Sequence, residues 1–367
     1  MIHLRPFALM LVVAVACGDA ASSSTDSAGS DSGSSGEPAT TVEPTTSTTT
    51  ISSTGASDGT ADATGSSGGD DDTASEPTSG GDTGGDTTGA PVGSRGCGQA
   101  APDAAGGVNV MIDAGPDGDG ARRFYLSRSA DYDPSVPHRL VFGFPGTNWV
   151  GEMIAPYLGL EGDAVEPMPD EIFVYPDPLW RDFEGWGNLG GWLLGPHAAP
   201  ADGDADLVFV AAVIAYMESN YCIDGERIFA TGHSWGGDMA QVVSCFMGDR
   251  FRATVPVAAN SPYWFEDGGQ FIDCVGDAAV WTMFGQADEH FMSQDPGLEC
   301  RDFWLDERGC SGVDQAVALD LGDAPDECVE YQGCSATTRF CLYGAQYGHQ
   351  IPADYFAAAT MAFFRSF

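Results

Sequence analysis

A serine between two glycines, in the run Gly232-His233-Ser234-Trp235-Gly236, matches the G-x-S-x-G pattern of serine nucleophiles. The pattern alone is weak evidence, because residues 55–59 and 65–69 of the Gly- and Ser-rich N-terminal part also match it. Only Ser234 follows an apolar, strand-like run (227–231) and precedes a helical pattern (237–247). A helix N-cap would explain the serine but not both glycines. We therefore predict that Ser234 is a nucleophile on a strand-turn-helix elbow.

A serine hydroxyl needs a neighbouring base, and histidine is the usual one. On such an elbow the acid and then the histidine follow the nucleophile along the chain. His233 adjoins Ser234, and neighbouring side chains at a sharp turn point apart. His290 and His349 remain, and we prefer His349 because it lies in the last loop before the C-terminal helical pattern (353–367).

The acid should lie just past the carboxyl end of a strand, at the edge of the sheet where the serine emerges. Asp288 follows the apolar run 278–284 at this distance, and its predicted role is to accept the Nδ1 proton of His349. Glu289 and Asp295 are the alternatives, and a solvated turn in an acidic protein is the non-catalytic interpretation.

A tetrahedral intermediate needs two backbone N–H donors. The first predicted donor is Trp235, directly after the nucleophile. The second should come from the loop after the early apolar run 138–144. Pro145 has no N–H, and we choose Thr147 over Gly146.

Short apolar runs rich in Val, Ile and Phe alternate with helical patterns along the C-terminal part of the chain. The predicted strands are 139–144, 171–175, 227–231, 253–258 and 278–284, and the predicted helices are 205–220, 237–247 and 353–367. Alternation of this kind predicts an α/β fold with a mostly parallel central sheet and helices on both faces.

The charge of the chain excludes whole classes of partner. The sequence has 54 acidic and 14 basic residues, a formal net charge of −40, and every basic residue is Arg. Nucleic acids and anionic membrane surfaces are bound through basic side chains, so neither is an expected partner. We expect no cofactor and no metal, because there is no Cys-x-x-Cys pair and the Asp-rich run 113–120 lacks the ligand spacing of a calcium loop.

The N-terminal part has a different composition from the rest. Residues 1–17 have the charged and apolar regions of an export signal and end in Cys17, which suggests a lipoprotein signal with Cys17 as the lipidated residue; an ordinary cleaved signal is the alternative. Residues 18–95 are rich in Ser, Thr, Gly and Asp and predict a disordered stalk. Residues 96–367 form the predicted catalytic domain, and their nine cysteines imply disulfides with at least one free thiol.

With these residues placed, the domain resembles secreted α/β-hydrolase esterases of the feruloyl esterase and polyhydroxybutyrate depolymerase family. The resemblance rests on short runs that are spread from residue 96 to the C-terminus: 96–98, 139–143, 185–188, 221–224, 230–234, 309–310 and 331–334. It implies an α/β-hydrolase fold and a carboxylic-ester hydrolase with a Ser-His-Asp triad. It also implies a disulfide between Cys310 and Cys334.

The resemblance extends to the substrate. An ester on a polysaccharide, or a polyester, would bind beside aromatic side chains, and the candidates for this contact are Trp149, Trp186 and Trp264. Pro145 departs from the family, which commonly has a histidine before the glycine of this loop. A catalytically inactive, surface-tethered binding lipoprotein on the same fold is therefore the alternative function. Whether it is an esterase or a binding protein, the chain is expected to be exported, either anchored in the cell envelope or secreted, and to be monomeric.

Overall fold

The computed structural model describes residues 93–162, 165, 170–322 and 326–367. The expected signal segment 1–17 with Cys17, and residues 18–92 of the expected stalk, lie outside the described residues. The contacts of the domain begin a few residues before residue 96. Gly93 forms a β-bridge with Asp224, and the backbone N–H of Ser94 donates to the carbonyl oxygen of Ile223 at 2.9 Å.

Fourteen strands occur in the described residues. In chain order they are β1 (Gly106–Asp113), β2 (Ala121–Arg128), β3 (His138–Phe144), β4 (Glu171–Pro176), β5 (Leu179–Phe183), β6 (Gly187–Gly191), β7 (Ile223–His233), β8 (Ala253–Val257), β9 (Glu266–Asp267), β10 (Gln270–Phe271), β11 (Ala279–Gly285), β12 (Gly312–Ala318), β13 (Glu327–Gln332) and β14 (Thr338–Tyr343).

Ten of these strands form one sheet, in the order β1-β2-β4-β3-β7-β8-β11-β14-β13-β12. The six central strands, from β4 to β14, pair in parallel, and the outer strands on both sides pair antiparallel. Strands β5 and β6 form a separate hairpin, as do β9 and β10. The predicted mostly parallel sheet is confirmed.

Five α-helices cover the sheet: α1 (Gly151–Leu158), α2 (Ala205–Asn220), α3 (Trp235–Phe246), α4 (Asp295–Glu307) and α5 (Phe356–Arg365). Buried residues of α2, α3 and α4 belong to one apolar cluster, and those of α1 and α5 to another. None of the described helices has the length and apolar character that crossing a membrane requires.

The two clusters lie on opposite faces of the sheet because successive side chains of a strand point to opposite faces. In β3, Leu140 and Phe142 pack in the cluster with α2 and α3, whereas Val141 packs in the cluster with α1 and α5. The central strands are apolar at almost every position because both of their faces are covered. This burial on both faces explains why apolar residues follow one another in the sequence of these strands and do not alternate with polar ones.

Four disulfides connect eight of the described cysteines: Cys97–Cys222, Cys245–Cys274, Cys310–Cys334 and Cys328–Cys341. Cys300 is a buried free thiol. The expected disulfides, the expectation of at least one left-over thiol and the Cys310–Cys334 pair are confirmed. Disulfides in this number are typical of proteins from an oxidising, extracellular environment.

Candidate active site

Ser234 lies on the sharp turn between β7 and α3. Its backbone has φ 59° and ψ −126°, a conformation that side-chain-bearing residues rarely adopt. The turn is held by the backbone N–H of Ser234, which donates to the carbonyl oxygen of Val257 at 3.0 Å. Both flanking glycines are required, since a Cβ at Gly232 or Gly236 would come within 2.1 Å or 2.0 Å of a backbone oxygen. The sequence folds into the elbow because these two positions carry no side chain.

Two further loops bring a histidine and a carboxylate to this turn. The His349 Nε2 atom lies 3.0 Å from Ser234 Oγ, and its Nδ1 atom lies 2.8 Å from Asp288 Oδ2. Because a carboxylate only accepts hydrogen bonds, Nδ1 carries the hydrogen and Nε2 is left to accept the serine proton. The ring therefore has the tautomer of a general base directed at Ser234.

Asp288 itself is held firmly. Its carboxylate is buried, and the Oδ1 atom accepts hydrogen bonds from the backbone N–H groups of His290 at 3.0 Å and Phe291 at 3.3 Å. These bonds leave Oδ2 for His349. The acid is thus oriented by the same loop that follows β11.

The alternative candidates occupy different positions. Glu289 accepts a hydrogen bond from the backbone N–H of His349 at 2.9 Å and not from its ring, and Asp295 is the first residue of α4. The ring of His290 packs against that of His349 in a tilted arrangement, with 4.8 Å between ring centroids. Burial, together with the neighbouring His349, lowers the pKa of His290. The structure thus brings together Ser234, His349 and Asp288.

The loop after β3 lies against the elbow, as an oxyanion site requires. A Cβ at Gly146 would lie 3.0 Å from the carbonyl oxygen of His233 and 3.3 Å from the Ser234 Cβ. The loop is fixed to the β5–β6 hairpin by Asn148, whose backbone N–H donates to the Gly190 oxygen at 2.8 Å. Among the described residues, neither predicted donor, the N–H of Trp235 or that of Thr147, has an acceptor within the chain.

The three predicted substrate-binding tryptophans have different environments. Trp149 is partly buried and packs on Tyr157, and Trp186 is partly buried and packs on Trp235, with ring centroids 5.1 Å and 5.3 Å apart. Trp264 has 0% of its surface exposed and lies in the apolar core. The prediction for Trp264 is corrected: it packs between core residues, where no substrate can reach it.

One exposed tryptophan was missed by the sequence analysis. Trp180 of β5 is 60% exposed, and its indole covers Gly190, which also contacts Asn148 of the loop after β3. The short run 179–183, followed by the Gly-rich residues 184–191, is a hairpin signal from which the position of Trp180 on a strand could have been predicted.

A buried ion cluster fixes the β5–β6 hairpin. Asp206 of α2 accepts hydrogen bonds from Arg122 at 2.7 Å, from Arg181 of β5 at 3.0 Å and from the backbone N–H of Leu193 at 2.7 Å. Asp206 is fully buried, so these partners stabilise a charge that has no contact with water. The hairpin that borders the site is thereby tied to the body of the domain.

A second buried carboxylate lies one turn after the nucleophile. Asp238 accepts hydrogen bonds from the backbone and the side-chain amide of Asn260, both at 2.7 Å, and burial raises the pKa of Asp238 to about 7. This pairing connects α3 to the loop after β8. Of the described residues, no group of three or more His, Cys, Asp or Glu side chains is arranged to hold a metal ion.

The chain is similar to several known proteins. The model of the prolyl oligopeptidase family matches residues 199–267, which include the elbow. Feruloyl esterase C of Emericella nidulans is 28% identical over 258 residues, covering 68% of this chain and 82% of the relative. Feruloyl esterase D of Neurospora crassa is 26% identical over 256 residues, covering 66% and 77%.

The solved structure of acetyl xylan esterase from Aspergillus awamori has the same fold, with a TM-score of 0.51 and 16% identity, and the match covers 70% of this chain and 99% of that one. The chain is an α/β-hydrolase esterase. The esterase is a carboxylic-ester hydrolase of the serine type, and the expected fold is confirmed.

Proposed function

We propose that the esterase hydrolyses its substrate through an acyl-enzyme intermediate, with Ser234 as nucleophile, His349 as general base and Asp288 as the acid that orients it. The observation that carries the proposal is the continuous hydrogen-bonded path from Ser234 Oγ through the His349 ring to Asp288, with distances of 3.0 Å and 2.8 Å.

In the first half-reaction, His349 Nε2 takes the Ser234 proton while Oγ attacks the ester carbonyl carbon. Asp288 stabilises the imidazolium that forms. The oxyanion of the tetrahedral intermediate accepts hydrogen bonds from the backbone N–H groups of Trp235 and Thr147, whose lack of an acceptor within the described chain supports this role.

Collapse of the intermediate breaks the bond to the alcohol oxygen, which takes the proton from His349. In the second half-reaction, His349 removes a proton from water, and the resulting hydroxide attacks the acyl carbon and releases Ser234. The proton taken from Ser234 goes to the alcohol, and the proton taken from water goes back to Ser234 through His349. The sum of the steps is therefore ester plus water to acid plus alcohol.

The substrate is a neutral ester of an aromatic or hydroxyalkanoic acid, as in a feruloylated polysaccharide or a polyester. Two relatives bear the name feruloyl esterase, and the partly exposed Trp149 and Trp186 lie near Tyr157 and Trp235 beside the elbow. Trp149→Ala and Trp186→Ala should raise KM for methyl ferulate more than KM for p-nitrophenyl acetate. Equal changes for both esters would argue against an aromatic acyl site.

The experiment that tests the mechanism is labelling of the full chain with a fluorophosphonate, which reacts only with an activated serine. We expect wild type to label at Ser234, and Ser234→Ala to lose both labelling and hydrolysis of p-nitrophenyl acetate. Ser219→Ala, a control at a partly exposed position near the C-terminal end of α2, should behave as wild type. Labelling that persists in Ser234→Ala would refute the assignment, and an unlabelled, folded wild type would favour the inactive binding protein.

The esterase is proposed to be an exported lipoprotein that is attached through Cys17, which precedes the Ser- and Thr-rich residues 18–95. The four disulfides support export. Expression with a radiolabelled fatty acid should label wild type and not Cys17→Ser. Equal labelling of the two would contradict the anchor.

A further inference from the structure

His233, the residue before the nucleophile, is a second histidine in contact with the base. It is the last residue of β7 and is 8% exposed, and its ring lies between those of Tyr157 and His349, with centroids 5.2 Å and 4.9 Å away. Its Nε2 atom is in hydrogen-bond contact with the backbone carbonyl oxygen of His349. Because a carbonyl oxygen only accepts hydrogen bonds, Nε2 of His233 carries the hydrogen and donates.

The surroundings of His233 keep this donor uncharged. Burial, and next the neighbouring His349, lower the pKa of His233 to about 3. The charged and titratable groups that face it are His349 and His290, which disfavour a positive charge, Asp288, which favours it, and Tyr157, whose pKa is raised by burial so that it stays uncharged. The balance is therefore set by burial. His233 is therefore a neutral donor with a fixed tautomer at neutral pH.

The segment of the base is held at three points. The backbone N–H of His349 donates to the Glu289 carboxylate at 2.9 Å, and that of Ile351 donates to the Tyr157 hydroxyl at 3.1 Å. The third bond is the one from His233 to the His349 carbonyl oxygen. Only His233 is on the strand that carries the nucleophile. A shift of the base away from the elbow must break this bond.

We propose that His233 is a positioning residue of the reaction: its Nε2–H holds the His349 backbone against the elbow, so that the base stays within reach of Ser234 Oγ. The inference rests on the proposed function, in which His349 takes the serine proton. Catalytic rates depend steeply on such placement, and a misplacement of about 1 Å can cost on the order of a hundredfold.

The test compares two amide side chains at the same position. Gln has its Nε2 atom three bonds beyond Cβ, as His has, whereas the amide of Asn is one bond shorter and cannot reach the His349 carbonyl. In the full chain, His233→Asn should reduce kcat for p-nitrophenyl acetate and the rate of fluorophosphonate labelling by about 10- to 100-fold, with KM within about twofold of wild type. His233→Gln should recover most of both rates.

A matched control is available in His138. Its Nε2 atom also contacts a backbone oxygen, that of Asp133 at 2.9 Å, but it lies at the start of β3, at the other end of the strands from Ser234. His138→Asn should reduce stability and leave the rates per folded molecule within about twofold of wild type. The folded fraction is measured for each variant by near-UV circular dichroism.

The inference would be overturned by equal rates in His233→Asn and His233→Gln, or by wild-type rates in His233→Asn. If wild type itself does not label at Ser234, the proposed function fails and the role of His233 fails with it, whereas normal labelling of wild type with equal rates in the two variants contradicts the role of His233 alone. If His233→Asn does not fold, His233→Gln still decides the question, because a loss of more than about tenfold in this folded, donor-bearing variant would contradict the inference.

Discussion

The buried His233 should make the esterase sensitive to acid, and His233→Gln should relieve that sensitivity. Glutamine keeps a donor of the same reach but cannot be protonated. The pKa of His233 is lowered from its ordinary value of 6.5 to about 3 in the folded state. The unfolded chain therefore binds a proton at this residue between these two pH values while the folded chain does not, and stability falls as pH decreases through that window.

The magnitude follows from the size of the window. Each pH unit between the folded and unfolded pKa values of one group changes the free energy of unfolding by about 1.4 kcal/mol. Since pH 4 lies two and a half units below 6.5, wild type should lose about 3.5 kcal/mol at pH 4 through His233 alone. His233→Gln should avoid this loss. At pH 7.5 the two proteins should differ by less than about 1 kcal/mol, the usual contribution of one hydrogen bond.

The measurement is urea unfolding of the full, oxidised chain at pH 7.5 and pH 4.0, followed by tryptophan fluorescence. Protonation of carboxylates far from His233 affects both proteins equally and cancels in the difference. We expect the stability of His233→Gln relative to wild type to increase by about 3.5 kcal/mol between the two pH values. The same relative stability at both would refute the account of a buried, neutral His233.

Three further substitutions test the framework around the site, and each is judged by the change it causes in the free energy of unfolding. Asp206→Ala leaves two guanidinium groups without their shared carboxylate and should cost about 3–5 kcal/mol; a loss below about 1 kcal/mol would contradict the cluster. Gly236→Ala places a Cβ 2.0 Å from a backbone oxygen and should cost more than about 2 kcal/mol, whereas the control Gly225→Ala meets only a flexible side-chain atom at 3.6 Å and should not. Replacing Cys245 and Cys274 by Ser opens a loop closed over 29 residues and should cost about 3–4 kcal/mol; an unchanged urea midpoint would exclude a stabilising role.

The order of elements and three residues of the site were predictable because they follow from local rules. The helix predicted at 205–220 coincides with α2, and the strand predicted at 278–284 lies within one residue of β11. Parallel strands end at one edge of a sheet, which is why residues as far apart in sequence as Ser234 and His349 could be expected to meet. The hydrogen bonds that connect them lie at this edge.

What could not be predicted depends on distant packing. The rule that adjacent side chains diverge at a turn excluded His233 as the base, but it could not reveal a contact with a residue 116 positions away. Trp264 was misjudged because the sequence does not show which tryptophans of a loop are buried. The pairing of most cysteines was also undetermined, since eight cysteines allow 105 pairings.

The disulfide Cys97–Cys222 attaches the start of the domain to the end of the sheet opposite to Ser234. Cys222 immediately precedes β7, whereas Ser234 immediately follows it, and the 11 residues of that strand separate the two by roughly 35 Å. The chain therefore enters the domain at the end of the sheet opposite to the nucleophile.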